Sequence, residues 1–245
     1  MKKKYLMHII YITIILALIA SLVLVISSKS KSDINDFEQY YQNKSISYTM
    51  QNMNASEGQI VFVGDSLTDG YKLDKHYADL DLTVYNRGIG GDTTSGVLGR
   101  MGVSIYDIKP SKVVLLIGGN DVNGGVDPDT IVENSLKIVS EIKKNLPETE
   151  IYFVSMIPQN NDIKMYGDFS AETHVAKIME INAEIEKALK NEENVTYIDL
   201  FSLLKDENNL LVKEYSTDGL HLTEKGYEIW TNALKDYLKQ QKGVA

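Results

Sequence analysis

Five short apolar runs, Ile60–Val63, Leu82–Tyr85, Lys112–Ile117, Glu150–Met156 and Val195–Ile198, recur along the chain with helix-length segments between them. Each run is short, mostly apolar and followed by a polar or glycine-containing turn, as a buried strand is. The intervening segments carry helical spacing. The clearest has Val132, Leu136, Val139, Ile142 and Leu146 behind Asp127-Pro128, with proline at the first helical position. Further helices are expected over Thr94–Ile105 and Ala171–Asn191, with a short helical turn over Asp199–Leu204 and a terminal helix capped by Thr223. Strand–helix alternation over roughly 180 residues predicts a three-layer, doubly wound α/β domain on a mostly parallel five-stranded sheet. In such sheets the ligand crevice opens off the carboxyl ends of the strands. Function is therefore to be read from the residues that follow the strands.

The first strand ends in Gly64-Asp65-Ser66. Taken alone this is as well read as a turn whose serine caps a helix. The second is followed by Asn86-Arg87-Gly88-Ile89-Gly90-Gly91-Asp92-Thr93-Thr94, a loop with three glycines in four residues, which reads either as a strand-to-helix turn that merely needs glycine or as exposed backbone N–H groups aimed at an anion. It lacks the Gly-Lys-Ser/Thr of a phosphate loop. The third ends in Gly118-Gly119-Asn120-Asp121, and a late loop holds Asp218-Gly219-Leu220-His221.

A serine hydroxyl is a weak nucleophile that needs a base, for which histidine has a suitable pKa. A carboxylate on the other imidazole nitrogen fixes the tautomer. His221 and Asp218 supply such a pair, although an arbitrary D-x-x-H is more often a local turn. His76 and His174 are the rival bases, and neither has an aspartate three residues before it. The backbone N–H groups of Ser66 and Gly91 and the Asn120 amide are candidate donors to an oxyanion. Asp65, Asp92, Asp121 and His221 are metal-ligating types, but paired histidine ligands from one motif are lacking, so neither metal nor cofactor is expected.

Together the blocks Gly64-Asp65-Ser66-Leu67, Gly90-Gly91-Asp92, Gly118-Gly119-Asn120-Asp121 and Asp218-Gly219-Leu220-His221 resemble the four blocks of the GDSL/SGNH hydrolase family, in order, over about Ile60–Leu238. The Asn86–Thr94 stretch is most similar to the platelet-activating-factor acetylhydrolase-like branch. The resemblance implies an SGNH-hydrolase/flavodoxin-like fold. It also implies Ser66 as nucleophile, His221 as base, Asp218 as its orienter, and an oxyanion hole of Ser66, Gly91 and Asn120. Gly119 stands where threonine is frequent in the family. Thr68 breaks Gly-x-Ser-x-Gly, so the α/β-hydrolase elbow is not the pattern here.

Before the domain, Lys2, Lys3 and Lys4 precede an apolar run from Tyr5 to Ile26. As a helix it would extend about 33 Å, enough to cross a bilayer. It is read as an N-terminal transmembrane helix contacting lipid through residues 5–26, with the catalytic domain outside. Secretion after signal cleavage is the alternative. The expected organisation is an anchor and linker over 1–31, a juxtamembrane helical segment over 32–58 and the hydrolase domain over 59–245. The net charge is −9, and since the first 31 residues hold five lysines and no acid, the remainder carries −14. Such a domain is a poor nucleic-acid binder. With no cysteine, disulfides and a thiol nucleophile are excluded.

The expected activity is hydrolysis of small acyl esters, of glycan O-acetyl or lysolipid type. The alternatives are an acyltransferase with the same triad and a non-catalytic envelope-binding module. The polar loop Gln159–Ser170 and the segment Tyr71–Leu80 are expected to border the crevice.

Overall fold

The computed structural model describes residues 36–163 and 171–240, together with 15, 16, 18, 19 and 21. The chain divides into two compact units, Met1–Ser47 and Tyr48–Ala245. Most of the expected membrane-spanning segment, 5–26, lies outside the described residues. Among those described, no helix is long and apolar enough to cross a membrane, so the transmembrane helix has no support from the structure. Within the helical segment expected over 32–58, a helix α1 covers residues 36–52.

Five strands, β1 (Ile60–Gly64), β2 (Val84–Gly88), β3 (Lys112–Leu116), β4 (Glu150–Val154) and β5 (Val195–Ile198), form one sheet in the order β2-β1-β3-β4-β5. Every neighbouring pair is parallel. The helices are α2 (Ser66–Asp69), α3 (Leu73–His76), α4 (Thr94–Gly99), α5 (Gly119–Asn123), α6 (Pro128–Asn145), α7 (Ala171–Leu189), α8 (Phe201–Leu204) and α9 (Glu224–Lys239). β1 is fully buried, and its period of two sends alternate side chains to opposite layers. Val61 and Val63 join Val113, Leu115 and Phe153 against Ile138 and Ile142 of α6 and Ile178 and Ile181 of α7. Ile60 and Phe62 join Val114 and Leu116 against Trp230 and Leu234 of α9.

The chain runs from β1 outward to β2, then back across β1 to β3. That reversal makes the end of β1 the topological switch point of the sheet, where a crevice must open. Gly64, Gly88 and Leu116 lie level in the register, so the loops after β1, β2 and β3 leave the sheet together.

Beyond shifts of one or two residues at element ends, two elements differ from the sequence reading. β2 is shifted toward the crevice and takes in Asn86 and Arg87, polar residues whose partners are tertiary. Asn86 Nδ2 donates to Thr68 O (2.6 Å), and the Arg87 guanidinium lies over the Tyr48 and Tyr85 rings and bonds Gln51 and Asn52. Gly88 must be glycine, because a Cβ there would lie 2.2 Å from the Asp69 nitrogen. The helix expected over Thr94–Ile105 stops at Gly99, and a π-turn covers Gly102–Tyr106. The break falls at Arg100, whose buried guanidinium donates to Asp92, Arg87 O, Ser104 and Gly64 O.

Candidate active site

Asp65 ends the β1 turn as the N-cap of α2, and its carboxylate accepts the Leu67 N–H at 3.0 Å. Ser66 is thereby the first helical residue, with its own N–H left over by the helix geometry. Among the described residues the Ser66 N–H has no acceptor, and neither has the Gly91 N–H. Gly91 adopts φ +80°, a left-handed conformation that favours glycine.

His221 comes from the loop before α9. Its Nε2 lies 2.9 Å from Ser66 Oγ and its Nδ1 lies 2.7 Å from Asp218 Oδ2. The loop is shaped by Asp218 itself, whose Oδ1 accepts the backbone N–H groups of Leu220 (2.9 Å) and His221 (2.7 Å). Ser216 Oγ accepts the Gly219 N–H at 2.8 Å, and the Asn160 N–H donates to Gly219 O at 2.9 Å. Burial acts to raise the Asp218 carboxyl, but the hydrogen bonds from His221 and Leu220 outweigh it and hold it down at about 2. The carboxylate facing Nδ1 is thus ionised at any physiological pH, which favours a proton on Nδ1 and leaves Nε2 to accept from the serine.

Asn120 and Ser66 line one shallow cavity of about 20 Å³ with Leu116, Met156, Ile157 and Leu220 around them. That is room for about one water-sized group. Asn120 Nδ2 donates to Asp92 O at 2.9 Å, and a primary amide has a second N–H. Asp92 in turn pairs with Arg100 (2.7 Å), and Asp121 accepts from the Thr94 hydroxyl (2.6 Å). Burial raises both carboxyls, Asp92 against the pull of Arg100. Asp65 is 3% exposed and burial pushes it up to about 7, with the nearby Asp92 and Asp121 adding to the rise. A larger groove, about 570 Å³ beside Lys187, Lys190 and Tyr197, contains none of these residues.

The structure therefore joins Ser66, His221 and Asp218 in one hydrogen-bonded chain and sets Asn120 beside Ser66. Gly91 lies one residue before the carbonyl that holds Asn120 and does not line the cavity. His76 bonds Thr231 (2.9 Å) and Glu224 instead, and His174 contacts Asn123 (3.1 Å). Of the loop Gln159–Ser170, Gln159 lines the cavity and residues 164–170 lie outside the described set. Sequence reasoning missed Met156, Ile157 and Leu220 as cavity walls, Arg100 as the link between the first two loops, and Asn160 as the brace of the histidine loop. Asn160 had a visible signal, its place in the polar loop expected to border the crevice; the apolar walls had none.

The model of the GDSL-like Lipase/Acylhydrolase family matches residues 62–229, more than half of the chain. An arylesterase from Vibrio mimicus is 35% identical over 126 residues, which are 46% of this chain and 62% of that protein; the match spans less than two-thirds of the arylesterase. The platelet-activating factor acetylhydrolase IB subunit alpha2 of Rattus norvegicus is 25% identical over 75% of this chain and 77% of its own length. Among solved structures, a Streptococcus pneumonia protein assigned as a platelet activating factor superposes with a TM-score of 0.77 at 28% identity, over 86% of this chain and 99% of that one. The family match and the relatives identify the chain as a member of the GDSL-like lipase/acylhydrolase family of ester-cleaving serine hydrolases.

Proposed function

We propose that the protein hydrolyses small acyl esters through an acyl-enzyme on Ser66. The observation that carries this reading is the chain Ser66 Oγ–His221 Nε2 (2.9 Å) and His221 Nδ1–Asp218 Oδ2 (2.7 Å) at the switch point of the sheet. Ser66 Oγ attacks the ester carbonyl as His221 Nε2 takes its proton, and the Nδ1–H stays on the Asp218 carboxylate, which stabilises the imidazolium. The carbonyl oxygen becomes an oxyanion met by the Ser66 N–H, the Gly91 N–H and the Asn120 amide. The imidazolium then protonates the departing alcohol. In the second half a water attacks the acyl carbonyl as His221 Nε2 takes its proton, and the imidazolium returns that proton to Ser66 Oγ as the bond to the acyl carbon breaks and the acid leaves. The cavity of about 20 Å³ has room for little more than a methyl group, which favours a short acyl chain such as acetyl. The relatives' names, an arylesterase and an acetylhydrolase subunit, point the same way. Acetylated glycans and short-acyl lipids are the substrate classes to test first.

The apolar run Tyr5–Ile26 behind Lys2, Lys3 and Lys4 supports anchoring in a membrane with the catalytic domain outside. The activity test is turnover of 4-nitrophenyl acetate, with Ser66→Ala as comparison. Turnover is expected to fall by at least about 10⁴-fold while the circular dichroism spectrum is kept. Undiminished turnover in Ser66→Ala would end the proposal.

A further inference from the structure

Ser66 and His221 lie 155 residues apart, and neither stands on a long buried element. α2 has four residues, and the His221 side chain is 43% exposed. Their 2.9 Å contact therefore depends on what ties α2 to the start of α9, which follows the histidine loop directly.

One side-chain bond reaches α2 itself from α9. Tyr227, in the second turn of α9, donates its hydroxyl to Leu67 O at 2.8 Å. Leu67 O is one of the carbonyls that a four-residue helix leaves unsatisfied. Neighbouring amides bypass it, since the Gly70 N–H goes to Ser66 O and the Tyr71 N–H to Thr68 O. The Tyr227 ring is held in an aromatic cluster, stacked on Tyr71 (centroids 4.6 Å apart, 25° between planes) and on Trp230 (6.2 Å, 18°), which also contact each other (4.8 Å). Tyr71, just beyond α2, is itself bonded to Thr231 of α9 at 2.6 Å. Burial, with the Asp65 and Asp69 charges nearby, holds the Tyr227 hydroxyl protonated far above neutrality, so it remains a donor throughout the working pH range. Tyr227 does not line the cavity beside Ser66.

We propose that Tyr227 is a positioning residue that sets the alignment of Ser66 with His221 by clamping the Leu67 carbonyl. This rests on the proposed triad. Losing the hydroxyl while keeping the ring frees α2 to shift by a fraction of an ångström. Displacements of that order lower the rate of attack without altering substrate contacts.

Tyr227→Phe is expected to lower kcat on 4-nitrophenyl acetate roughly 5- to 20-fold with KM within about 2-fold. The rate of Ser66 labelling by a fluorophosphonate should fall by the same factor. Rates are referred to the folded fraction, counted from the labelling end point. Installing 4-aminophenylalanine at 227, which keeps the ring and restores a donor, should recover most of the loss. Tyr152→Phe serves as comparison, because it removes a buried tyrosine's hydroxyl that bonds Glu150 at the opposite end of the sheet; it should leave both rates unchanged. Wild-type kcat and labelling rate in Tyr227→Phe would overturn the positioning role, as would an equal loss in Tyr152→Phe. If the unsubstituted protein is neither labelled at Ser66 nor active, the proposed triad fails first and the clamp with it.

Discussion

At the amino ends of β3 and β4, the Lys112 ammonium lies 2.5 Å from Glu150, 3.3 Å from the Tyr152 hydroxyl and 3.2 Å from Tyr237 O. At the carboxyl end of β1, the Asp65 carboxylate is as deeply buried but has one backbone donor and two further acids for neighbours. At the first end Lys112 and Glu150 neutralise each other; the second keeps its acids in excess and, among the described residues, leaves two N–H groups without acceptors. A matched buried pair fixes a structure, whereas donors left over by the fold can act on charge that appears only during a reaction. The contrast teaches that this sheet is locked at one end so that the other can remain incompletely satisfied.

Four substitutions probe the contrast. Asp218→Asn takes away the carboxylate that orients His221 and is expected to cost about 10³- to 10⁴-fold in kcat on 4-nitrophenyl acetate; a loss under 10-fold would remove Asp218 from the mechanism. Asn120→Ala is expected to cost about 10²- to 10³-fold in kcat with little change in KM, and a change confined to KM would make Asn120 a ground-state binder. At the closed end, Lys112→Met should leave kcat per folded molecule intact but destabilise by about 3 kcal/mol, because Glu150 loses its partner. Urea unfolding reads this directly, and an unmoved midpoint would show that the two ends do not differ as described. The smallest effect concerns Asp65. Its folded pKa, about 7, lies above the ordinary 3.8, so the native state holds a proton that the unfolded chain has released, and stability falls as pH rises between those values. Asp65→Asn keeps a capping acceptor and removes that cost. It should be stabilising by about 1–2 kcal/mol at pH 8 and close to neutral at pH 4; a benefit independent of pH would assign the gain to something other than ionisation.

Much of the sheet was legible because its strands are apolar on both faces. β5 begins and ends where the sequence sets it, and β3 differs by one residue at its end. β2 was displaced because Asn86 and Arg87 look like loop residues until Thr68, Tyr48 and Asn52 are seen beside them. Thr223 caps α9 as the sequence indicates, a local signal that needs no tertiary context. Ser66, Asp218, His221 and Asn120 were legible because each follows a strand or sits in a short loop with a distinctive neighbour. The Tyr227–Leu67 bond and the cavity walls were not, since a tyrosine on an amphipathic helix and a methionine after a strand both read as ordinary core. The outcome at Gly91 is mixed. Its left-handed backbone follows from glycine, but the direction of its N–H depends on how the whole loop folds over Arg100.

The clamp around Arg87 bears on where this protein can be shortened. Arg87 is fully buried, its side chain is held by Gln51 and Asn52, and Tyr48 reaches past it to the carbonyl of Gly88, the last residue of β2. The family match starts at residue 62, so a cut placed there would strand a guanidinium inside the protein without its acceptors and loosen the strand that leads to Gly91. A recombinant catalytic piece should start upstream of Tyr48, and a shorter one is the better choice for anyone seeking an unstable variant.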